Sequence, residues 1–298
     1  MAELDNYRRL VIKALFSDDD LMDIFVLKGG NALNIAYSVN DRASIDIDIS
    51  MAEDFTDIDE IKRKIENALV TTFAEEKITV FDIELQPRPM RKNMREENAF
   101  WGGYRLNFKL INNERRDVLR NNLEAMRREA IIVNSKNHRV FKVDISKYEV
   151  CKEKEAIELD GILIYVYTPT MIIYEKLRAI CQQMEEYRQQ IETITPTPRA
   201  RDFFDIYTIF QHWGETLDLY SPKNLELLKE IFEIKKVDLR LLNRIKDPDI
   251  KEFHRDSFNA VRDTVSIREV KEYDFYYEFT CKIVEKLNEC LYSHVKSL

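Results

Sequence analysis

FVLKGGNALNIAYSVNDRASIDIDIS, residues 25–50, holds three signals in a row. Phe25-Val26-Leu27 is a short apolar run that stops at Lys28-Gly29-Gly30. From Asn31 to Val39 the apolar residues return at helical spacing. Ser44 to Ser50, SIDIDIS, alternates strictly with period two, which predicts a strand with isoleucines on one face and aspartates on the other.

Each signal has a bland and a chemical reading. The chain has only six glycines, and four of them form the pairs Gly29-Gly30 and Gly102-Gly103. A glycine pair between strand and helix lets the backbone turn sharply and approach a ligand. The N–H groups of a helix starting there can hold phosphate. An ordinary strand-to-helix turn has the same sequence. Asp46 and Asp48, at i and i+2 on a strand, project from one face about 7 Å apart, a spacing that suits a divalent cation. A solvated strand face also alternates in this way, but like charges side by side are unfavourable without a cation. A third acid, Asp144, lies in another alternating stretch, VFKVDIS, residues 140–146. Three carboxylates from two adjacent strands would hold two Mg2+ ions, the arrangement that serves in-line phosphoryl transfer.

Outward from this stretch, residues 5–17 and 57–75 read as helices. Lys77–Leu85, Tyr104–Ile111 and Ile162–Tyr167 read as strands, and Glu114–Glu129 as a helix. After Pro169 the character changes. Thr170–Gln190 reads as one long helix, TITPTP at 193–198 breaks it, and Arg199–Trp213 is helical again. Phe275, Phe279, Ile283, Leu287 and Leu291 then recur every fourth residue as an apolar stripe. The expected fold is α+β: a mixed-sheet core over residues 1–168 and an all-helical half over 169–298. No Gly/Ser-rich linker separates them.

Composition sets the bounds. The chain has 298 residues, 45% of them hydrophobic and 34% charged, which excludes disorder. A net charge of −8 argues against a whole-surface nonspecific DNA binder. Cys151, Cys181, Cys281 and Cys290 form no CxxC pair, so neither a zinc site nor a disulfide framework is expected. No apolar run reaches the roughly 18 residues of a membrane span, and the N-terminus lacks the apolar core of a signal peptide. These features predict a cytoplasmic protein.

The combination is more specific than its parts. A Gly-Gly turn, a helix, D-x-D on a strand and a lone Asp on a later strand resemble the nucleotidyltransferase superfamily of polymerase-β type. Residues 25–50 narrow the resemblance to the AbiEii/AbiGii-type toxin nucleotidyltransferases. TPTMIIYEKLRAI, residues 168–180, is similar to that family's lysine helix, and RARDFFDIY, residues 199–207, to its R-x-x-D-x-x-D motif. Position 31 departs from the family, with Asn where Ser or Thr is usual.

The resemblance implies Mg2+ on Asp46, Asp48 and Asp144, with Asp144 also aligning or deprotonating the nucleophile. It implies an NTP held by Lys28, Gly29, Gly30, Asn31, Arg42 and Ser44. Lys176 would neutralise phosphate charge, and Asp202 and Asp205 would organise the lysine or the nucleotide. It further implies a bacterial toxin or phage-defence protein with a cognate antitoxin and a tRNA 3′ end as acceptor. Without the resemblance, Arg199, Asp202 and Asp205 read as a surface salt-bridge ladder, and Lys176 as a solvated lysine.

Charge is unevenly spread. Residues 88–142 carry 14 Lys+Arg against 6 acids, with Phe100, Trp101 and Tyr104 available for stacking. That segment would track an RNA backbone, unless its arginines pair with the protein's own acids. Two rival functions stay open: a small-molecule nucleotidyltransferase, and a catalytically weak NTP-binding module.

Overall fold

The structure is a computed structural model that describes residues 2–39, 46–89, 100–120, 122–133, 137–191, 195–263, 265 and 270–295. These fall into two compact units. The first runs to Ala36 and resumes from Asp46 to Val166; the second joins Tyr37–Val39 to Tyr167 and everything after it. Arg42 and Ser44, the first residues of SIDIDIS, and Arg91, Lys92, Arg95, Glu96, Glu97 and Lys136 of the basic segment lie outside the described residues.

The first unit begins with helices α1 (Ala2–Phe16) and α2 (Asp19–Ile24), then strand β1 (Val26–Lys28). One helical turn, α3 (Gly29–Asn31), widens into π-type turns over Ala32–Ala36. Next come β2 (Ile47–Ser50), α4 (Ile58–Glu75), β3 (Ile78–Arg88), β4 (Gly103–Asn112), α5 (Asn113–Val118) and α6 (Leu123–Glu129). β5 (Phe141–Ser146), β6 (Glu155–Leu159) and β7 (Ile162–Val166) close the unit. The strands form one seven-stranded sheet in the order β3-β4-β5-β2-β1-β7-β6. β2 and β5 are parallel, as are β1 and β7; the other neighbours are antiparallel.

Alternation along these strands divides the sheet into an apolar and a polar face. Ile47, Ile49, Val143, Ile145, Leu106 and Phe108 are all buried, and α1 and α4 pack against the sheet with Val11, Leu15, Ile65, Leu69 and Phe73 in the core. The intervening positions, Asp48, Asp144, Arg105 and Asn107, are half-buried and polar. Burying each large apolar side chain contributes about 1.5–3 kcal/mol, which fixes the strand register and thereby which residues reach the polar face.

The second unit is helical: α7 (Pro169–Cys181), α8 (Glu185–Arg188), α9 (Ala200–Trp213), α10 (Pro222–Glu233), α11 (Pro248–Arg255), α12 (Phe258–Arg262) and α13 (Tyr273–Val295), with a 3-10 segment at Leu239–Lys246. Thr168 caps α7, its side chain accepting from the Met171 N–H, and Pro169 occupies the first turn. Tyr37 donates from its hydroxyl to the Tyr167 carbonyl at 2.8 Å and meets the Trp213 ring edge-on at 5.2 Å.

Several expectations need correction. The helix expected over Glu114–Glu129 is two helices. Arg120 takes a left-handed conformation, and Asn122 caps the second helix through the Ala125 N–H. The long helix expected over Thr170–Gln190 stops at Gln182. There Met184 turns extended and is buried, and the Gln183 side chain donates back to the Ala179 carbonyl. β6 was not expected. It pairs with β7 through the two-residue turn Asp160-Gly161, where both φ angles are positive, as that hairpin turn requires. The α13 stripe is buried at Ile283, Leu287 and Leu291 but not at its start: Phe275 is 41% exposed, while Tyr273, Tyr276 and Tyr277 are buried beside Phe203 and Phe204.

Candidate active site

The polar face gathers its charge in one row. By register Arg105 on β4 lies opposite Asp144 on β5, Asp144 lies opposite Asp48 on β2, and Asp48 lies opposite Lys28 on β1. Directly paired residues share a face, so cation, carboxylate, carboxylate and cation follow one another across four strands. Asp46 sits in the bend just before β2. The row therefore lies at the end of the sheet where β1 runs into the glycine turn.

Gly29 is explained by this arrangement. Its φ is +67°, and a Cβ there would come within 2.6 Å of the Asp48 carboxylate oxygen Oδ2. Only glycine lets the backbone pass so close to that acid. Asn31 is fully buried, and its Nδ2 donates to the Asp46 backbone carbonyl at 2.6 Å. The amide orientation follows, because the opposite flip would set two acceptors against each other. Asn31 Oδ1 then has no hydrogen-bond partner among the described residues. Lys28 is also buried and pairs with Glu149 at 3.6 Å.

Asp144 is held by Arg105 through two parallel contacts, Nε to Oδ1 at 2.7 Å and Nη2 to Oδ2 at 3.1 Å. The Asp144 hydrogen bonds hold the Arg105 guanidinium above its ordinary pKa, and the Asp46 charge adds to this effect. Arg105 thus pairs with one of the three expected acids and feels the charge of a second. No group of three or more His, Cys, Asp or Glu side chains among the described residues is gathered to hold a metal ion. Asp46 and Asp48 still fit Mg2+. That ion is commonly bound by one or two carboxylates with substrate phosphates completing its shell, and the orphaned Asn31 oxygen adds a further hard acceptor nearby.

In the second unit Lys176 projects from α7 and is buried. Its Nζ lies 3.0 Å from Asp202 Oδ1 and 2.7 Å from Asp205 Oδ2, both acids on α9 and both buried. Arg199, just before α9, pairs with the other Asp202 oxygen. Burial pulls the Lys176 pKa down, but Asp202 and Asp205 outweigh it and the net direction is up. For Asp202 burial pushes up, and Arg199 with Lys176 brings the net direction well down. This triad excludes both the surface ladder and the solvated lysine. His254 on α11 accepts the Arg199 backbone N–H at its Nδ1, 3.0 Å away.

The basic segment is largely self-paired. Arg115 pairs with Glu129, Arg116 with Asp117, and both Lys109 and Arg127 with Asp82. Tyr104 is buried, donates to Asp54 and stacks near Phe55, so it is not available to a base. A cleft of about 780 Å3 nonetheless lies beside the row, lined among others by Arg88, Arg105, Lys109, Arg127 and Lys142. Arg105 itself was missed as a site residue. The signal was available in Arg105, Asn107 and Lys109, which alternate with buried apolar residues along β4.

The family model described as Nucleotidyl transferase AbiEii toxin, Type IV TA system, matches residues 11–278. The chain belongs to this family. It is a nucleotidyltransferase of the AbiEii type, and the type IV toxin–antitoxin assignment implies an antitoxin partner. Among solved structures, the AbiEii chain is similar to JHP933 from Helicobacter pylori, at 18% identity, covering 99% of this chain and 95% of that one with a TM-score of 0.50. A second H. pylori structure has 16% identity, 96% coverage of each chain and a TM-score of 0.44. An antigenic nucleotidyltransferase-like protein from Paracoccidioides brasiliensis has 12% identity, covering 77% of this chain and 92% of that one, with a TM-score of 0.36. No curated protein matches the chain. Among the described residues, no helix is long and apolar enough to cross a membrane.

Proposed function

We propose that this AbiEii-type chain transfers a nucleotidyl group from an NTP to a tRNA 3′ end at the polar face of its sheet, in the cytoplasm, as the toxin of a phage-defence system. The observation that carries this reading is the row of Asp48 and Asp144 on neighbouring strands beside the Gly29 turn. Asp46 and Asp48 would hold Mg2+, which when bound withdraws charge from the phosphates. Gly29 and Gly30 give the backbone its close approach to the triphosphate, with Lys28, Arg42 and Ser44 assigned there by resemblance. Asn31 donates to the Asp46 carbonyl, so its part is to hold Asp46 in place.

The acceptor oxygen bonds to the α-phosphorus as the bond from that phosphorus to the bridging oxygen breaks. The electron pair leaves with pyrophosphate, and the hydroxyl proton passes to water. Asp144 accepts a hydrogen bond from the attacking hydroxyl and aligns it. Lys176, Asp202 and Asp205 are assigned to holding α7 against α9 within the helical half. Their burial favours that role over direct phosphate contact. The cation-rich cleft at Arg88 and Lys142 supports a polyanionic acceptor over a small molecule.

The test is incorporation of labelled NTPs into total RNA by the natural chain and by Asp48→Asn. An amide cannot replace a hard anionic ligand, so the variant should lose transfer by at least about 100-fold with an unchanged circular dichroism spectrum. Wild-type incorporation by Asp48→Asn sinks the site. Label appearing only in small molecules sinks the RNA acceptor.

A further inference from the structure

We propose that the Arg105 guanidinium is the second cation of this site, so that the chain takes one divalent ion, at Asp46 and Asp48, and none at Asp144. The proposal rests on the transferase reading above and adds the number of metals and the identity of the group that replaces one. Asp144 is the acid that a second metal would need. Both of its carboxylate oxygens are engaged by one planar fork, at 2.7 and 3.1 Å.

The placement is built by the backbone. Arg105 and Asp144 are direct partners in the β4–β5 ladder, and Asp144 and Asp48 are direct partners in the β5–β2 ladder. The flanking residues Leu106, Val143, Ile145, Ile47 and Ile49 are buried, so a slip in register would expose five core side chains. Gly103, two residues before Arg105, brings the β4 backbone against β5 so tightly that a Cβ there would lie 1.8 Å from the Ile145 carbonyl oxygen. The absence of a side chain at Gly103 thus lets β4 lie close against β5 beside the Arg105–Asp144 pair.

The chemistry agrees. Arginine keeps its charge at every working pH, and its fork matches a carboxylate in two parallel hydrogen bonds. Mg2+ requires near-octahedral oxygens at about 2.0–2.1 Å and sheds water reluctantly, and at Asp144 it would reach only the lone pairs that the fork leaves, against the repulsion of the adjacent guanidinium. The register sets Arg105 beside Asp144 and two strands from Asp48, the acid assigned to the metal, and the Asp46 charge acts on the same guanidinium. There a fixed positive group stabilises charge developing on the transferred phosphate without needing to be recruited.

Mn2+ alone is the probe, with bound equivalents counted by electron paramagnetic resonance of the free ion. The natural chain should bind one equivalent, lost in Asp48→Asn. Asp144→Asn should leave that affinity within about two-fold, because Asp144 is not a ligand. Arg105→Gln should gain a second equivalent, and Arg105→Gln with Asp144→Asn should lose it again. Arg105→Lys keeps charge at the position and should remain at one. Two equivalents in the natural chain overturn the proposal, as does a folded Arg105→Gln that still binds one. A ten-fold loss of affinity in Asp144→Asn overturns it too, and that arm decides the matter if Arg105→Gln does not fold. No bound Mn2+ in the natural chain overturns the metal assignment of Asp46 and Asp48 and this proposal with it. The other outcomes leave that assignment standing and remove only the role of Arg105.

Discussion

At Lys176 one ammonium meets two carboxylates in a place that water does not reach. Such a group is held by its partners, because each charge left alone in the interior keeps its full desolvation cost. Lys176→Ala would leave Asp202 and Asp205 facing each other without the ammonium between them. The expected result is a loss of about 3–5 kcal/mol in urea unfolding, the usual cost of removing one partner from a buried pair. A loss below about 1 kcal/mol would show that the triad is relaxed or hydrated. The sequence could not announce this burial, because Lys176 stands between Glu175 and Leu177 like any surface lysine, and its partners are 26 and 29 residues away. Gly29 was the opposite case. Its place between an apolar run and a helix marked a close backbone approach, and the group approached is the Asp48 carboxylate.

Among the elements, legibility followed periodicity. β5 was readable because Val143 and Ile145 alternate with Asp144, and the alternation reflects one dry and one wet face. β6 was passed over because only Asp160-Gly161 marked its turn. The α13 stripe was legible at Ile283, Leu287 and Leu291, which are buried, but not at Phe275, because a four-residue spacing drifts around a helix of 3.6 residues per turn and the aromatic cluster on α9 selected the tyrosines there. The start of α9 is joined to α11 by a bond no periodicity reveals, from the Arg199 N–H to His254 Nδ1. His254 is buried, and desolvation draws its pKa down to about 4 against the pull of Asp202. In the unfolded chain an ordinary histidine titrates near 6.5. The folded value is depressed, so this contribution is fully present above about pH 6.5 and is lost as pH falls toward 4, as the unfolded state takes up its proton first. The difference amounts to about 3 kcal/mol. His254→Gln keeps an acceptor for Arg199 and removes the titration. Its unfolding free energy should lose about 3 kcal/mol less than the natural chain between pH 7 and pH 4. Parallel pH curves for the two proteins would show that His254 does not set the acid limit.

For the whole molecule, charge arithmetic and charge placement give different answers. The net charge is −8, and residues 88–142 run the other way. The count suggested that this segment faces an acceptor, yet its Arg115 and Arg116 are already paired, with Glu129 and with Asp117. A paired arginine releases few counterions when a phosphate arrives, because its counter-charge is part of the protein. Arg88 and Lys142 line the cleft beside Arg105, and Lys142 precedes Asp144 by two residues on the same face of β5. These two are therefore the cations expected to meet an RNA backbone. Replacing Arg88 and Lys142 with Glu should raise KM for an RNA acceptor, and the slope of log affinity against log salt should fall by about one unit for each lost phosphate contact. KM for the NTP should hold, since that ligand is assigned to the glycine turn and the acids. The matched control, Glu at positions 115 and 116, should leave the salt slope unchanged. If the control flattens the slope and the cleft variant does not, RNA approaches by the α5 side, and the cleft belongs to a smaller acceptor.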